Sequence, residues 1–227
     1  MKKIVLIVAA TERELACAET QNPISYTQNG DLSDCIFVYK VIGVGLTAAS
    51  MNLTRFVIEF KPSAIICIGV AGLYPQFELQ YPRNQVYRVI HEVAADFGKE
   101  SSSSQILEIE KMGFGVQSFE LHWPKNTLSA AFCERINTYV SVKSASVQLC
   151  TGSAELAQNR VAQFDVVLEN MEGYAVAQIA HFYQIPVLQL RAISNLATEP
   201  SLAEWDFNSA CAVLKKEFQE LMNVSKN

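Results

Sequence analysis

Residues 165–195 read DVVLENMEGYAVAQIAHFYQIPVLQLRAISN, and their pattern sets the class of the fold. Val166 to Leu168 is an apolar run too short for a helix and bounded by Asp165 and Glu169, which predicts a buried strand. From Met171 onward, Ala175, Ile179 and Phe182 recur at helical spacing, and Pro186 stops that helix because its ring excludes a further turn. Val187 to Ile193 predicts a second buried strand that runs into two polar residues, Ser194 and Asn195. Strand, helix, strand in this order indicates an α/β sheet, in which ligand chemistry collects outside the carboxyl ends of the strands. Glu172 falls in the first helical turn, where it either complements the helix dipole or faces a ligand; the local pattern allows both. Arg191 lies inside an apolar strand, and a buried cation needs a partner.

Working outward, Ile4 to Ala10 is a first buried strand, followed by Glu12, Arg13 and Glu14 at the start of a short helix. A charge cluster of this kind is ordinarily a solvated face. Glu14 stands above that expectation because the end of the first strand of a parallel sheet opens onto the ligand crevice. Residues 20–34 are rich in Gln, Asn and Ser and read as a connection. Cys35 to Val44 predicts a strand entering Gly43-Val44-Gly45, with Thr47 as N-cap of a helix that halts before Pro62. A third strand, Ala64 to Val70, meets the small pair Ala71 and Gly72 as a turn. Small residues at such turns let backbone N–H groups approach a ligand.

Residues 73–83 read as a loop, Gln85 to Val93 as a strand, and the serines at 101–104 as a surface loop. Between 105 and 146 the pattern predicts strands at Ile106 to Ile109 and Val116 to Leu121 and a helix from Leu128 to Val140. Val147 to Cys150 reads as a strand, and Leu202 to Val224 as a closing helix with Phe207, Ala210, Leu214, Phe218 and Leu221 on one face.

Half of the 227 residues are apolar, ample for the core of one domain spanning 1–227. A net charge of −5 and a pI near 5.3 give no electrostatic footprint for nucleic acid. Six cysteines without metal-ligand spacing read as reduced, mostly buried thiols, and the protein is expected to be cytoplasmic. Lys2 and Lys3 before an apolar run imitate a secretory signal, but charged residues follow at once, and no run reaches the length of a membrane span.

Taken in order, AATEREL, GVGLTAAS, CIGVAG, ENMEGYAVAQIA and QLRAISN resemble the purine nucleoside phosphorylase/nucleosidase superfamily. The resemblance runs from Ile4 to about Trp205, and MEG followed by RAISN is its specific part. Within the superfamily the chain looks most like the futalosine hydrolases and next most like the methylthioadenosine/adenosylhomocysteine nucleosidases. The resemblance implies a three-layer αβα fold with a central mixed, partly barrel-like sheet, no cofactor or metal, a purine nucleoside substrate and a homodimer. It also implies roles. Glu14 would activate water, Met171 and Glu172 would hold the ribose, Arg191 would hold the active-site carboxylate, and Asn195, after Ser194, would face N7 and the 6-position of the purine. Ala71 and Gly72 would lie against the substrate, and Trp205 would cover it.

The residue types suit that division. A carboxylate is a fitting base for the attacking water, and a second one near the sugar stabilises the cationic, oxocarbenium-like transition state more than the ground state. Asn offers an NH₂ to a 6-oxo group and a carbonyl to a protonated N7, which favours a 6-oxopurine such as the hypoxanthine of futalosine; an Asp would suit a 6-aminopurine. The strands before the glycine turns contain Lys40 as their one cation, which disfavours phosphate as the nucleophile. The chain departs from the family at Tyr174, Val70 and the segment RNQVYRV, residues 83–89, which affects the surroundings of the 5′ substituent. Arg13, Arg83 and Arg88 are candidates to meet a carboxylated 5′ group. The alternatives are a methylthioadenosine- or aminodeoxyfutalosine-type nucleosidase and a nucleoside-binding protein without catalysis; the absence of GxGxxG disfavours a dinucleotide-dependent oxidoreductase. Tyr174 and the loop 73–83 are candidates for the dimer interface.

Overall fold

The structure, a computed structural model, describes residues 2–18, 35–100, 105–125, 127–198 and 201–223. The connection at 20–34 and the serines at 101–104 lie outside them. In chain order the elements are β1 (Lys3–Ala9), α1 (Glu12–Leu15), β2 (Cys35–Val41), α2 (Leu46–Phe60), β3 (Ala64–Leu73), β4 (Val86–Ala94), β5 (Gly98–Glu100), β6 (Ile106–Glu108), β7 (Ser118–Glu120), α3 (Ala130–Ile136), β8 (Val140–Ser146), α4 (Ala154–Phe164), β9 (Leu168–Asn170), α5 (Gly173–Tyr183), β10 (Val187–Leu196) and α6 (Phe207–Asn223).

The main sheet runs β10-β4-β8-β9-β3-β1-β2, and β10 also pairs with β3. That extra pairing closes β3, β10, β4, β8 and β9 into a five-stranded ring, while β1 and β2 extend from it as an open wing. Ala71, Tyr87, Val142, Leu168 and Ile193 each come from a different strand of the ring and meet in one cluster, the apolar filling of the barrel. β1 is covered on both faces. Its Val5, Ile7 and Ala9 pack with Leu214, Phe218 and Leu221 of α6, and its Leu6 and Val8 pack with α2 and α5. Helices on two sides of a mixed, partly closed sheet give the predicted three layers.

Several boundaries move, each for a visible reason. Gly45, not Thr47, caps α2: its φ of +85° suits glycine, and Thr47 falls inside the helix. Ala71 and Gly72 are not a turn but part of β3, because they pair with Ile193 and Asn195 of β10 while Gly72 and Leu73 pair with β9. Val140 begins β8 instead of ending a helix. The predicted strand Val147 to Cys150 is a turn, since Gln148 and Leu149 give their N–H groups to the Asp96 carboxylate at 2.6 and 2.9 Å. The first strand of the opening stretch begins at Leu168 rather than Val166, and α5 starts at Gly173 with Glu172 as its cap residue and Met171 before it. Phe182 is 77% exposed, so the buried stripe of α5 runs through Tyr174, Ala175, Val176, Ile179 and Ala180 instead. The closing helix starts at Phe207 after a short 3₁₀ turn at Leu202–Glu204. No helix among the described residues is long and apolar enough to cross a membrane.

Candidate active site

α1 is a single turn held by a capping box. The Glu14 N–H donates to Thr11 Oγ1 at 3.2 Å, and Thr11 returns its N–H at 3.1 Å and its hydroxyl at 2.8 Å to Glu14 Oε2. The other oxygen, Oε1, accepts the N–H of Val70 at 3.0 Å. Three donors thus fix a buried carboxylate and leave one acceptor position on Oε1 for a further donor.

Glu172 lines the same cleft. It is 5% exposed, and its Oε1 accepts the N–H of Gly45 at 3.0 Å, which explains the glycine turn ahead of α2. Burial pushes its carboxyl above the usual range, against the pull of the Arg191 guanidinium.

Arg191 lies behind the site, 1% exposed. Its Nη1 donates to the Val70 carbonyl at 3.2 Å and lies 3.8 Å from Glu172 Oε2, while Nη2 donates to Asn170 Oδ1 at 3.3 Å. Room for it comes from Gly69: a Cβ there would sit 2.5 Å from Nη1 and 2.9 Å from Glu14 Oε1. Arg191 therefore supports carboxylates without lining the cleft.

Asn170 joins these groups. Its Oδ1 accepts the N–H groups of Glu172 and Gly173 at 3.0 and 2.6 Å, capping α5, and its amide donates to Glu92 and Ser144, both at 2.8 Å. Glu92 is fully buried, also receives Ser146 Oγ and Gln189 Nε2, and has its carboxyl pushed up by burial. Its carboxylate occupies the space that a Cβ on Gly173 would take, so the glycine of MEG makes room for a buried acid. Sequence reasoning missed Thr11, Glu92 and Asn170. The Thr-x-x-Glu spacing of a capping box was available at residues 11–14, whereas nothing local marks Glu92 or Asn170.

The end of β10 carries a register shift between Ile193 and Asn195, so that Ser194 is an extra residue opposite β3. Both Ser194 and Asn195 then reach the cleft. Ser194 Oγ donates to Asn195 Oδ1 at 2.7 Å, and Asn195 Nδ2 donates to the Leu196 carbonyl at 2.8 Å.

The cleft has a volume of about 170 Å³. Glu14, Ala71, Gly72, Met171, Glu172, Ser194, Asn195 and Trp205 all line it, whereas Arg191 stays behind the wall and Arg13, Arg83 and Arg88 are not among its lining residues. Val44, Glu169, Asn170, Cys150 and Phe207 line it as well. No Lys, Arg or His is among its described lining residues. Lys40 is directed over the rings of Phe56 and Phe60 on α2, 5.6 and 5.1 Å from their centroids. Of the cations considered for a 5′ group, Arg88 is engaged with Asn137 at 2.9 Å, while Arg13 lies 4.3 Å over the ring of the cleft residue Phe207. Tyr174 is 5% exposed; it packs on Phe119 and donates its hydroxyl to the Val116 carbonyl, so it ties α5 to the strand at 118–120.

Residues 5–225 match the family model of the Phosphorylase superfamily. The chain belongs to that superfamily. Among its members, the futalosine hydrolase of Thermus thermophilus is 24% identical over 218 residues, covering 96% of this chain and 94% of the relative. The 5'-methylthioadenosine/S-adenosylhomocysteine nucleosidase of Shewanella sediminis is 24% identical over 220 residues, covering 88% and 89%. The native structure of futalosine hydrolase of Helicobacter pylori superposes with a TM-score of 0.76 at 18% identity, covering 97% of both chains, and so shares the superfamily fold seen here.

Proposed function

We propose that this protein hydrolyses the N-glycosidic bond of futalosine, releasing hypoxanthine and dehypoxanthine futalosine in a cytoplasmic route to menaquinone. The observation that carries the reading is one cleft in which two anchored carboxylates and an amide meet without a cation among the described lining residues. Glu14 takes the proton of a water that attacks C1′, and the water oxygen becomes the new hydroxyl. Glu172 accepts hydrogen bonds from the ribose hydroxyls and stabilises the cationic sugar. The base leaves with the bonding electrons and takes a proton from solvent at N7; the carbonyl of Asn195 accepts that N–H while its NH₂ reaches O6. A phosphate nucleophile would be favoured by cations, and no Lys, Arg or His is among the described lining residues.

The reading predicts release of hypoxanthine from futalosine at the same rate with and without phosphate, followed by chromatography of the free base. Phosphate-dependent turnover, or faster cleavage of methylthioadenosine or aminodeoxyfutalosine than of futalosine, would replace it with the corresponding alternative. We also infer a homodimer. Val44, Met51, Phe97 and Leu149 are 55%, 67%, 53% and 71% exposed, and Val44 lines the cleft. Light scattering should give twice the chain mass of 25.2 kDa, and a single-chain mass would remove the inference.

A further inference from the structure

Glu169 lines the cleft, and its carboxylate is held by the protein's own donors. It lies on β9 beside Gly72, whose other neighbour is Asn195 on β10, so Glu169 and Asn195 flank the same glycine. Its Oε1 accepts the N–H of Thr151 at 2.8 Å; its Oε2 accepts the Tyr74 hydroxyl at 2.9 Å, Arg160 Nη1 at 2.8 Å and the Thr151 hydroxyl. Three donors thus converge on Oε2 and one on Oε1, so the carboxylate is held from both oxygens.

All but one of these donors belong to the turn after β8 or to the arginine that holds it. Arg160, 4% exposed, gives Nη1 to Thr151 Oγ1 at 2.6 Å and Nη2 to the Leu149 carbonyl at 3.0 Å. Asp96 takes the N–H groups of Gln148 and Leu149. The turn is thus fastened on both sides of Cys150, the residue that lines the cleft, whose Sγ lies 3.8 Å from Met171 Sδ. A buried ion pair adds little net stability compared with apolar packing, so this arrangement is poorly explained as a stabilising device. Holding a binding wall in place before the ligand arrives removes an ordering cost from binding.

We propose that Glu169, Arg160 and Thr151 are positioning residues that fix the 148–151 turn as the wall of the cleft at the base end and thereby set affinity for the purine base. The assignment of that end to a base rests on the function proposed above. Thr151→Val keeps the shape and removes the hydroxyl; Thr151→Ser restores it. By calorimetric titration with hypoxanthine, Thr151→Val should bind about tenfold more weakly and Thr151→Ser within about twofold of the parent protein. With futalosine as substrate, KM should rise by the same factor in Thr151→Val while kcat stays within about threefold. A purely structural role predicts a lower melting temperature with unchanged affinity and KM, and that result overturns the proposal. Should Thr151→Val not fold, Glu169→Gln is read in the same way. Hypoxanthine binding by the parent protein without futalosine cleavage removes the proposed activity but leaves the titration as the test of the clamp; absence of base binding by the parent protein removes both.

Discussion

Glu14→Gln should lower kcat for base release by about 10²- to 10⁴-fold, the range over which a positioned general base contributes, with KM changed by only a few-fold. The expectation follows from how the carboxylate is held. Thr11 and Val70 both approach it with donors, on different oxygens. Glutamine can turn its carbonyl to only one of them, so its NH₂ faces a donor on the other side, and the proton acceptor is gone as well. Glu14→Asp keeps the charge but is one methylene shorter, and should recover part of the rate. The measurement is steady-state release of base together with a thermal melt. A Glu14→Gln protein that folds and keeps its kcat would remove Glu14 from the chemistry.

Asn195→Asp should reverse base preference. The ratio of kcat/KM for a 6-oxopurine nucleoside to that for its 6-amino counterpart should fall by about 10²-fold or more, because a carboxylate has no donor for O6 and gains one from a 6-amino group. The Ser194 hydroxyl still donates to the retained oxygen at position 195. The Leu196 carbonyl, which now receives Asn195 Nδ2, instead meets an oxygen, so the Asp variant should also lose some stability unless it binds a proton. Paired assays on futalosine and aminodeoxyfutalosine measure the ratio directly. Equal loss on both substrates would mean that Asn195 supports the strand end without reading the base.

The alternation of strands and helices was legible because each local period is strong: residues 165–195 and 4–10 need no distant information. Closure of the barrel was not legible from that pattern, since the β10–β3 pairing joins residues more than a hundred positions apart. β8 escaped for a related reason. Its Ser144 and Ser146 point at the polar end of the barrel and bond Asn170 and Glu92, and serines in a strand look like loop until that interior is known. The site divides along the same line. Glu14, Glu172 and Asn195 carry their chemistry in their residue type and place at element ends, whereas Glu92 sits in an ordinary alternating strand. The need of Arg191 for partners was predictable from its apolar surroundings; that they would be a backbone carbonyl, an amide and a distant carboxylate was not.

The register shift at Ser194 separates two duties along one strand. Residues 187–193 run in unbroken register with β3 and keep Arg191 beneath the carboxylates, while Asn195 and Leu196 pair with Gly72 and Leu73 after the extra residue. The bulge sets positions 194 and 195 in a register separate from the ladder that carries Arg191, while both remain paired to β3. Under the proposed function, a substitution at 194 or 195 should alter base choice while leaving the pairing of residues 187–193 in place.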